Sequence, residues 1–290
     1  MRRFLVYLVL LIVVVAVAGL WMTRPIEVAS SRFDGIDGDS ARGEIVYWAG
    51  GCGSCHAAED DETKLVLAGG RRLKSDFGTF ISPNISPSPQ GIGNWTITDF
   101  ANAMLNGTSP DGSHYFPAFP YTSYTRMTDQ DIVDLWAFMR TLPASDTPSE
   151  PHEIAFPFNF RASVGGWKLL YFKSDFVGPS SGSERGQYLV EAAGHCAECH
   201  TPRTALGGLD LSRWMAGAPN PSDPGRIPGL TPSQLKWSEA DIAYYLETGF
   251  TPDFDSAGGE MAQVVGNMAR LSAEDRNAIA AYIKSLPPAE

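Results

Sequence analysis

Hydrophobic and polar positions divide the chain into an apolar head, two similar helical halves and an aromatic stretch between them. Residues 4–22 are 19 consecutive apolar positions, preceded by Arg2 and Arg3. At 1.5 Å per residue this run spans roughly 28 Å, close to the thickness of a bilayer's hydrocarbon core. Positive charge ahead of such a run stays in the cytoplasm. Ala16-Val17-Ala18 resembles a small-residue cleavage site, so a removed signal peptide is the alternative. The run continues through Leu20, Trp21 and Met22, and tryptophan suits an interface, which favours an uncleaved anchor over residues 1–25. Residues 26–40, rich in Ser, Gly and Asp, read as a flexible polar tether.

Beyond residue 40 the periodicity becomes helical, and it occurs twice. Arg42-Gly43-Glu44-Ile45-Val46-Tyr47-Trp48 opens one half, and Arg185-Gly186-Gln187-Tyr188-Leu189-Val190 opens the other. In each half a Trp is followed 12 residues later by a Gly, Trp95 to Gly107 and Trp237 to Gly249. Thr96 or Thr98, and Ser238, are the expected N-caps. Each half closes with a third helix, carrying Ile132, Leu135, Trp136 and Met139 or Ile279, Tyr282, Ile283 and Leu286 at helical spacing. Proline ends both. The expectation is an all-α chain of two duplicated domains, residues 41–145 and 184–290. Residues 146–183 lie between them and are rich in aromatics. Such a segment is expected to pack along both halves and fix their angle. The sharper reading is a docking surface for a partner or the membrane interface.

Each half also carries one five-residue motif, Cys52-Gly53-Ser54-Cys55-His56 and Cys196-Ala197-Glu198-Cys199-His200, which together use all four cysteines. C-x-x-C-H is the attachment signature of c-type haem. Cysteines three apart on a helical turn face one side and reach the two vinyl groups of one porphyrin, and the next histidine projects to the iron. Cys52, Cys55, Cys196 and Cys199 are therefore the expected attachment points, with His56 and His200 as proximal ligands. Zinc and disulfide readings of C-x-x-C compete, but the repeated histidine and the export signal favour two haems. The net charge of −11 argues against nucleic acid. It suits a redox partner with a basic docking patch, or simply a solvated acidic surface.

Several stretches carry a resemblance to a known family: Gly69-Gly70, Asn84-Ile85-Ser86-Pro87, Gly91-Ile92-Gly93-Asn94-Trp95, Tyr115-Phe116-Pro117-Ala118-Phe119-Pro120-Tyr121, Arg185-Gly186, residues 195–203 and Gly259-Glu260-Met261. They resemble the dihaem class I c-type cytochromes, including the cytochrome c subunits of membrane-bound alcohol, gluconate and aldehyde dehydrogenases. The resemblance implies tandem class I cytochrome c domains that transfer electrons. It also places a backbone carbonyl near Pro202 to orient the proximal imidazole of His200. The first half has Ala57-Ala58 there and needs another acceptor. Arg72, Arg203 and Trp95 are candidates for packing on haem propionates or edges, or for ordinary surface and core.

A carrier haem commonly takes a distal methionine. In the second half Met261 lies 12 residues after Gly249, and it is favoured over Met268, which leaves little loop before Ser272. Twelve residues after Gly107 stands Phe119, where relatives carry a methionine. For the first iron Met127 is favoured. A His114 ligand and an open site remain alternatives, and Met104 sits inside a helical apolar pattern. Nothing marks His152 or His195 as a ligand. The sequence therefore reads as a dihaem cytochrome anchored in the bacterial inner membrane, facing the periplasm. It would carry electrons between a dehydrogenase or respiratory donor and a downstream acceptor. Rivals are a dihaem enzyme, peroxidase-like or thiosulfate-oxidising, and a dihaem subunit of a terminal oxidase. No motif for a second cofactor or a substrate-oxidising site is present.

Overall fold

The computed structural model describes residues 1–179, 183–221 and 225–288, so parts of the expected linker and second domain lie outside the described residues. Helix α1 (Arg2–Met22) projects from the body with every residue solvent-exposed, and its length and hydropathy fit membrane anchoring. The next segment is not the flexible tether expected. The Val28 amide donates to Asn102 Oδ1 at 2.7 Å, Thr108 Oγ1 donates to the Ile26 carbonyl at 2.9 Å, and Phe33 is buried in the first core. Three apolar side chains, Val28, Phe33 and Ile36, tie a stretch of polar composition to the first half.

The first half contains α2 (Ser40–Gly50), α3 (Cys52–His56), α4 (Ile97–Ala101), α5 (Tyr121–Tyr124) and α6 (Asp129–Met139). Asp39 caps α2, and Thr96 and Asp99 form a capping box on α4. Helices α2 and α6 cross at Gly43, where a Cβ would stand 1.9 Å from the Asp134 carbonyl oxygen. Asp134 clasps the crossing: it accepts from the Asp39 amide (2.6 Å), Arg42 Nε (2.7 Å) and Gln130 Nε2 (3.0 Å). Burial alone would raise its pKa, but these donors, Arg42 foremost, hold it below the usual carboxylate value.

The linker supplies α7 (Ala162–Tyr171), and the second half contains α8 (Glu184–Tyr188), α9 (Ala197–His200), α10 (Glu239–Thr248), α11 (Gly259–Met268) and α12 (Ala273–Ser285). Helices α8 and α12 cross at Gly186, where an added Cβ would again stand 1.9 Å from a carbonyl oxygen, that of Ala278. The second half has one more residue between this glycine and its first cysteine. A π-helical turn at Leu189–Ala193 absorbs it.

The all-α expectation needs correction. Strands β1 (Arg72–Ser75), β2 (Gly78–Ile81) and β3 (Glu153–Ile154) form an antiparallel sheet, and β4 (Ala218–Pro219) pairs with β5 (Arg226–Ile227). These strands are too short to show a period of two. The linker packs along both halves, as expected. Lys168 Nζ donates to the carbonyls of Asn106 and Gly107 in the first half, and Trp167 Nε1 to that of Leu206 in the second. The amides of Val177 and Gly178 donate to the buried Glu191 carboxylate. Each core also takes a residue from the other half: Ala192 lies in the first, Ala49 in the second.

Candidate haem sites

Both C-x-x-C-H motifs form a helical turn, entered through a residue in the left-handed region. Gly51 (φ 60°) does this for α3 and His195 (φ 42°) ahead of α9. Histidine there costs on the order of 1 kcal/mol. Two contacts with the first half offset this: His195 Nε2 donates to the Gly50 carbonyl at 3.2 Å, and its ring packs edge-on against Tyr124. Cys52, Cys55, Cys196 and Cys199 form no disulfide. Burial pushes Cys52 and Cys196 up to about 12, so neither is a ready thiolate.

The histidines share one geometry. His56 Nδ1–H donates to the Pro83 carbonyl and His200 Nδ1–H to the Pro228 carbonyl, both at 2.8 Å. A carbonyl only accepts, so the proton sits on Nδ1 and Nε2 keeps its lone pair for a metal. Burial lowers the pKa of both rings, against the opposing pull of the carbonyl bond, and so favours their neutral form. The acceptor expected at Pro202 is thereby corrected. The Pro202 carbonyl is taken by the Asp210 amide, and the orienting carbonyl comes from 27 residues beyond the histidine in the first half and 28 in the second. Among the described residues no three His, Cys, Asp or Glu side chains converge as a metal site. Two thiols and an imidazole that do not converge, with Nε2 free, suit a broad planar group better than a zinc ion.

The motifs face one another across the seam between halves. The Cys199 thiol lies within electrostatic reach of Cys55 and Glu260. Arg71 bridges the seam, donating to the Ser54 carbonyl and to Gln263 Oε1 (3.0 Å) and pairing with the Glu260 carboxylate. Asn267 Nδ2 donates to Ser54 Oγ at 2.9 Å. Sequence reasoning missed Arg71, whose acidic partner is 189 residues away. The neighbouring Arg72 pairs instead with Glu150 and Glu153, and Arg203 with Glu198, while Trp95 packs on the first core.

A hairpin beyond the second helix of each half allows residue-by-residue comparison. Gly107 and Gly249 end their helices in the left-handed conformation. In the first hairpin Thr108 bridges His114 and the Tyr115 amide donates to Gly107; in the second Phe250 bridges Ser256 and the Ala257 amide donates to Gly249. Both closing bonds measure 2.8 Å. The shared register sets Phe119 opposite Met261. Met261 is half-buried on the first turn of α11, whereas Met268 is buried in the second core. Met127 is buried in the first core, in the turn before α6, where Leu271 stands before α12; each amide donates to a carbonyl three residues back. His114 Nε2 donates to the Thr23 carbonyl at 2.8 Å, and its buried Nδ1 has no partner. His152 Nδ1 accepts from the Ile81 amide.

The sequence model of the cytochrome c family matches residues 40–143 and 183–287. The chain belongs to the cytochrome c family. It has two tandem cytochrome c domains, and these carry two covalently bound haem c groups. It is 55% identical to a diheme cytochrome c-type protein of Cereibacter sphaeroides, with both chains covered in full. It is 36% identical to the fructose dehydrogenase cytochrome subunit of Gluconobacter japonicus, over 85% of this cytochrome and 52% of that subunit. Identity is also 36% to the cytochrome c subunit of the quinone alcohol dehydrogenase of Gluconacetobacter polyoxogenes, over 87% of this chain and 57% of the other. The cytochrome thus spans about half the length of these two dehydrogenase subunits.

Proposed function

We propose that this dihaem cytochrome is held in the bacterial inner membrane by α1, with both haem domains on the periplasmic side. It takes electrons from a dehydrogenase or another respiratory donor and passes them to a downstream acceptor. The observation that carries this reading is the paired motif: two C-x-x-C-H turns, each with its histidine fixed by a proline carbonyl, meeting at one seam. Bound haem supplies the one-electron chemistry. Cys52 and Cys55 would hold one haem and Cys196 and Cys199 the other. The carbonyls of Pro83 and Pro228 orient His56 and His200 and make each a better donor to iron. Linker and seam contacts join the two halves.

The domains on this reading are residues 41–145 and 184–290, with Met261 as distal ligand of the second haem. A second reading of the first haem is favoured by a specific observation. Phe119 stands at the position of Met261, Met127 at that of a core leucine, and His114 is tied to Thr23. On that reading Met127 fills the core and the first iron has an open sixth position, reachable by small ligands.

The test of transfer is reduction in native membranes. Alcohols, aldehydes or gluconate are added, and the haem α-band is followed with and without this chain. Substrate-driven reduction that disappears with the chain supports the proposal. Haems that stay oxidised with every substrate, or copurification with copper-haem oxidase subunits, would move the cytochrome to another complex.

A further inference from the structure

The linker leaves several large apolar side chains at the surface, although Phe158 packs edge-on against Phe77. Phe156 is 83% exposed, Phe158 47%, Phe160 60%, Leu169 53% and Leu170 61%. Large apolar side chains clustered at a surface mark a contact with something else. From residue 154 to 174 the segment carries Arg161, Lys168 and Lys173 and no carboxylate, in a chain of net charge −11. Lys168 turns inward onto two carbonyls, and Arg161 lies over the rings of Tyr115 and Phe116, which leaves Lys173 exposed. Aromatic and aliphatic side chains mixed with cations and free of acids are the composition of a segment lying in a bilayer interface.

Position selects the occupant. Helix α1 ends at Met22, and the carbonyl of the next residue, Thr23, already accepts from His114. The same carbonyl abuts Gly165 of α7, where an added Cβ would lie 2.2 Å from it. No slack separates the apolar helix from the body, and the element it leaves beside is the one bearing Leu169 and Leu170. Trp21, with Arg24 stacked at 5.1 Å, marks the same level.

We infer that the exposed side chains of residues 156–160 and Leu169-Leu170 together make a second membrane contact, seated in the headgroup region of the bilayer that α1 spans. The inference rests on the anchor reading of α1. The two contacts together hold the first domain against the membrane and fix its orientation, where a single helix alone would let it swivel.

The test uses the full-length holo-protein in vesicles of phosphatidylcholine and phosphatidylglycerol. Haem attachment consumes the native cysteines, so an introduced cysteine takes a fluorophore. Labels at Phe158→Cys and, separately, Leu170→Cys are expected to be quenched by lipids spin-labelled near the headgroup. A label at Phe254→Cys, an exposed position in the second half, is expected to keep its emission. A Val13→Cys label reports on the anchor through deep spin-labelled lipids. If Val13 is quenched while the two patch labels behave like Phe254, the anchor stands and the bilayer contact is refuted, leaving the face to a partner protein. If Val13 is not quenched either, the anchor reading fails and takes the inference with it. A patch signal that follows protein density in the vesicle rather than quencher content would indicate a second copy of the chain, and would also refute it.

Discussion

The two haem domains share a scaffold and differ in the loop where we propose that the iron's second axial ligand stands. Both cross their first and last helices at a glycine where an added Cβ would stand 1.9 Å from a carbonyl oxygen, and both fix the motif histidine with a proline carbonyl at 2.8 Å. Both close the same hairpin after the second helix. Beyond that hairpin the second domain places Met261 on a ten-residue helix, whereas the first places Phe119 among Tyr115, Tyr121 and Tyr124. A duplicated fold keeps the backbone geometry that attachment needs. The segment beyond the hairpin is where the two halves diverge. The clasps differ too: Arg42 reaches Asp134, but Arg185 pairs with Asp275, one turn nearer the start of the closing helix.

The largest expected effect removes one half of the comparison. Replacing Cys196 and Cys199 together with alanine should lower the haem content from two per chain to one by pyridine haemochrome assay, with the first domain still loaded. Loss of both haems would show that the halves do not load independently. Next, Met261→Phe copies the first distal loop into the second. A potentiometric titration should then show one wave falling by roughly tenths of a volt, within the ~0.8 V range that axial ligands span. An unchanged pair of waves would remove Met261 from the iron.

Stability effects come below these. Gly43→Ala and Gly186→Ala each drive a methyl into a backbone carbonyl and should cost about 1–3 kcal/mol or more in urea unfolding. Similar costs in the two variants would confirm that the crossings are equivalent. Asp134→Asn removes the charge that holds the first crossing and should cost about 1–3 kcal/mol near neutral pH. The sign of its pH dependence follows from the folded pKa lying below the unfolded one. The contribution is complete above the unfolded value near 4 and is lost as pH falls through the folded value. Thermal unfolding of Asp134→Asn should therefore converge with that of the parent in acid, and a gap that persists there would deny the clasp.

The covalent chemistry was legible because it depends on local spacing. C-x-x-C-H, the caps at Thr96 and Ser238, and the closing helices all lie within one helix length. Partners far apart in sequence were not legible: the Pro83 and Pro228 carbonyls, the Arg71–Glu260 pair, and the Glu191 carboxylate that holds the linker amides. The tether misled because its polar composition hides Val28, Phe33 and Ile36, which dock it on the first core. Helix α7 was missed because Gly165-Gly166 weakens its pattern, and packing against both halves supplies what propensity lacks. From the sequence, Met127 is favoured as a ligand on the condition that the loop before the closing helix is rearranged. It is buried in the first core, in the turn that Leu271 occupies in the second half.

The most direct test of the difference between the domains is carbon monoxide binding to the fully reduced holo-protein, followed by visible spectroscopy. The account predicts one carbon monoxide per chain, bound at the first haem, rising to two in Met261→Phe and falling to none in Phe119→Met. A parent protein that binds none would show a sixth ligand on both irons, with Met127→Ala the variant to identify the first. Binding at the second haem would contradict the assignment of Met261.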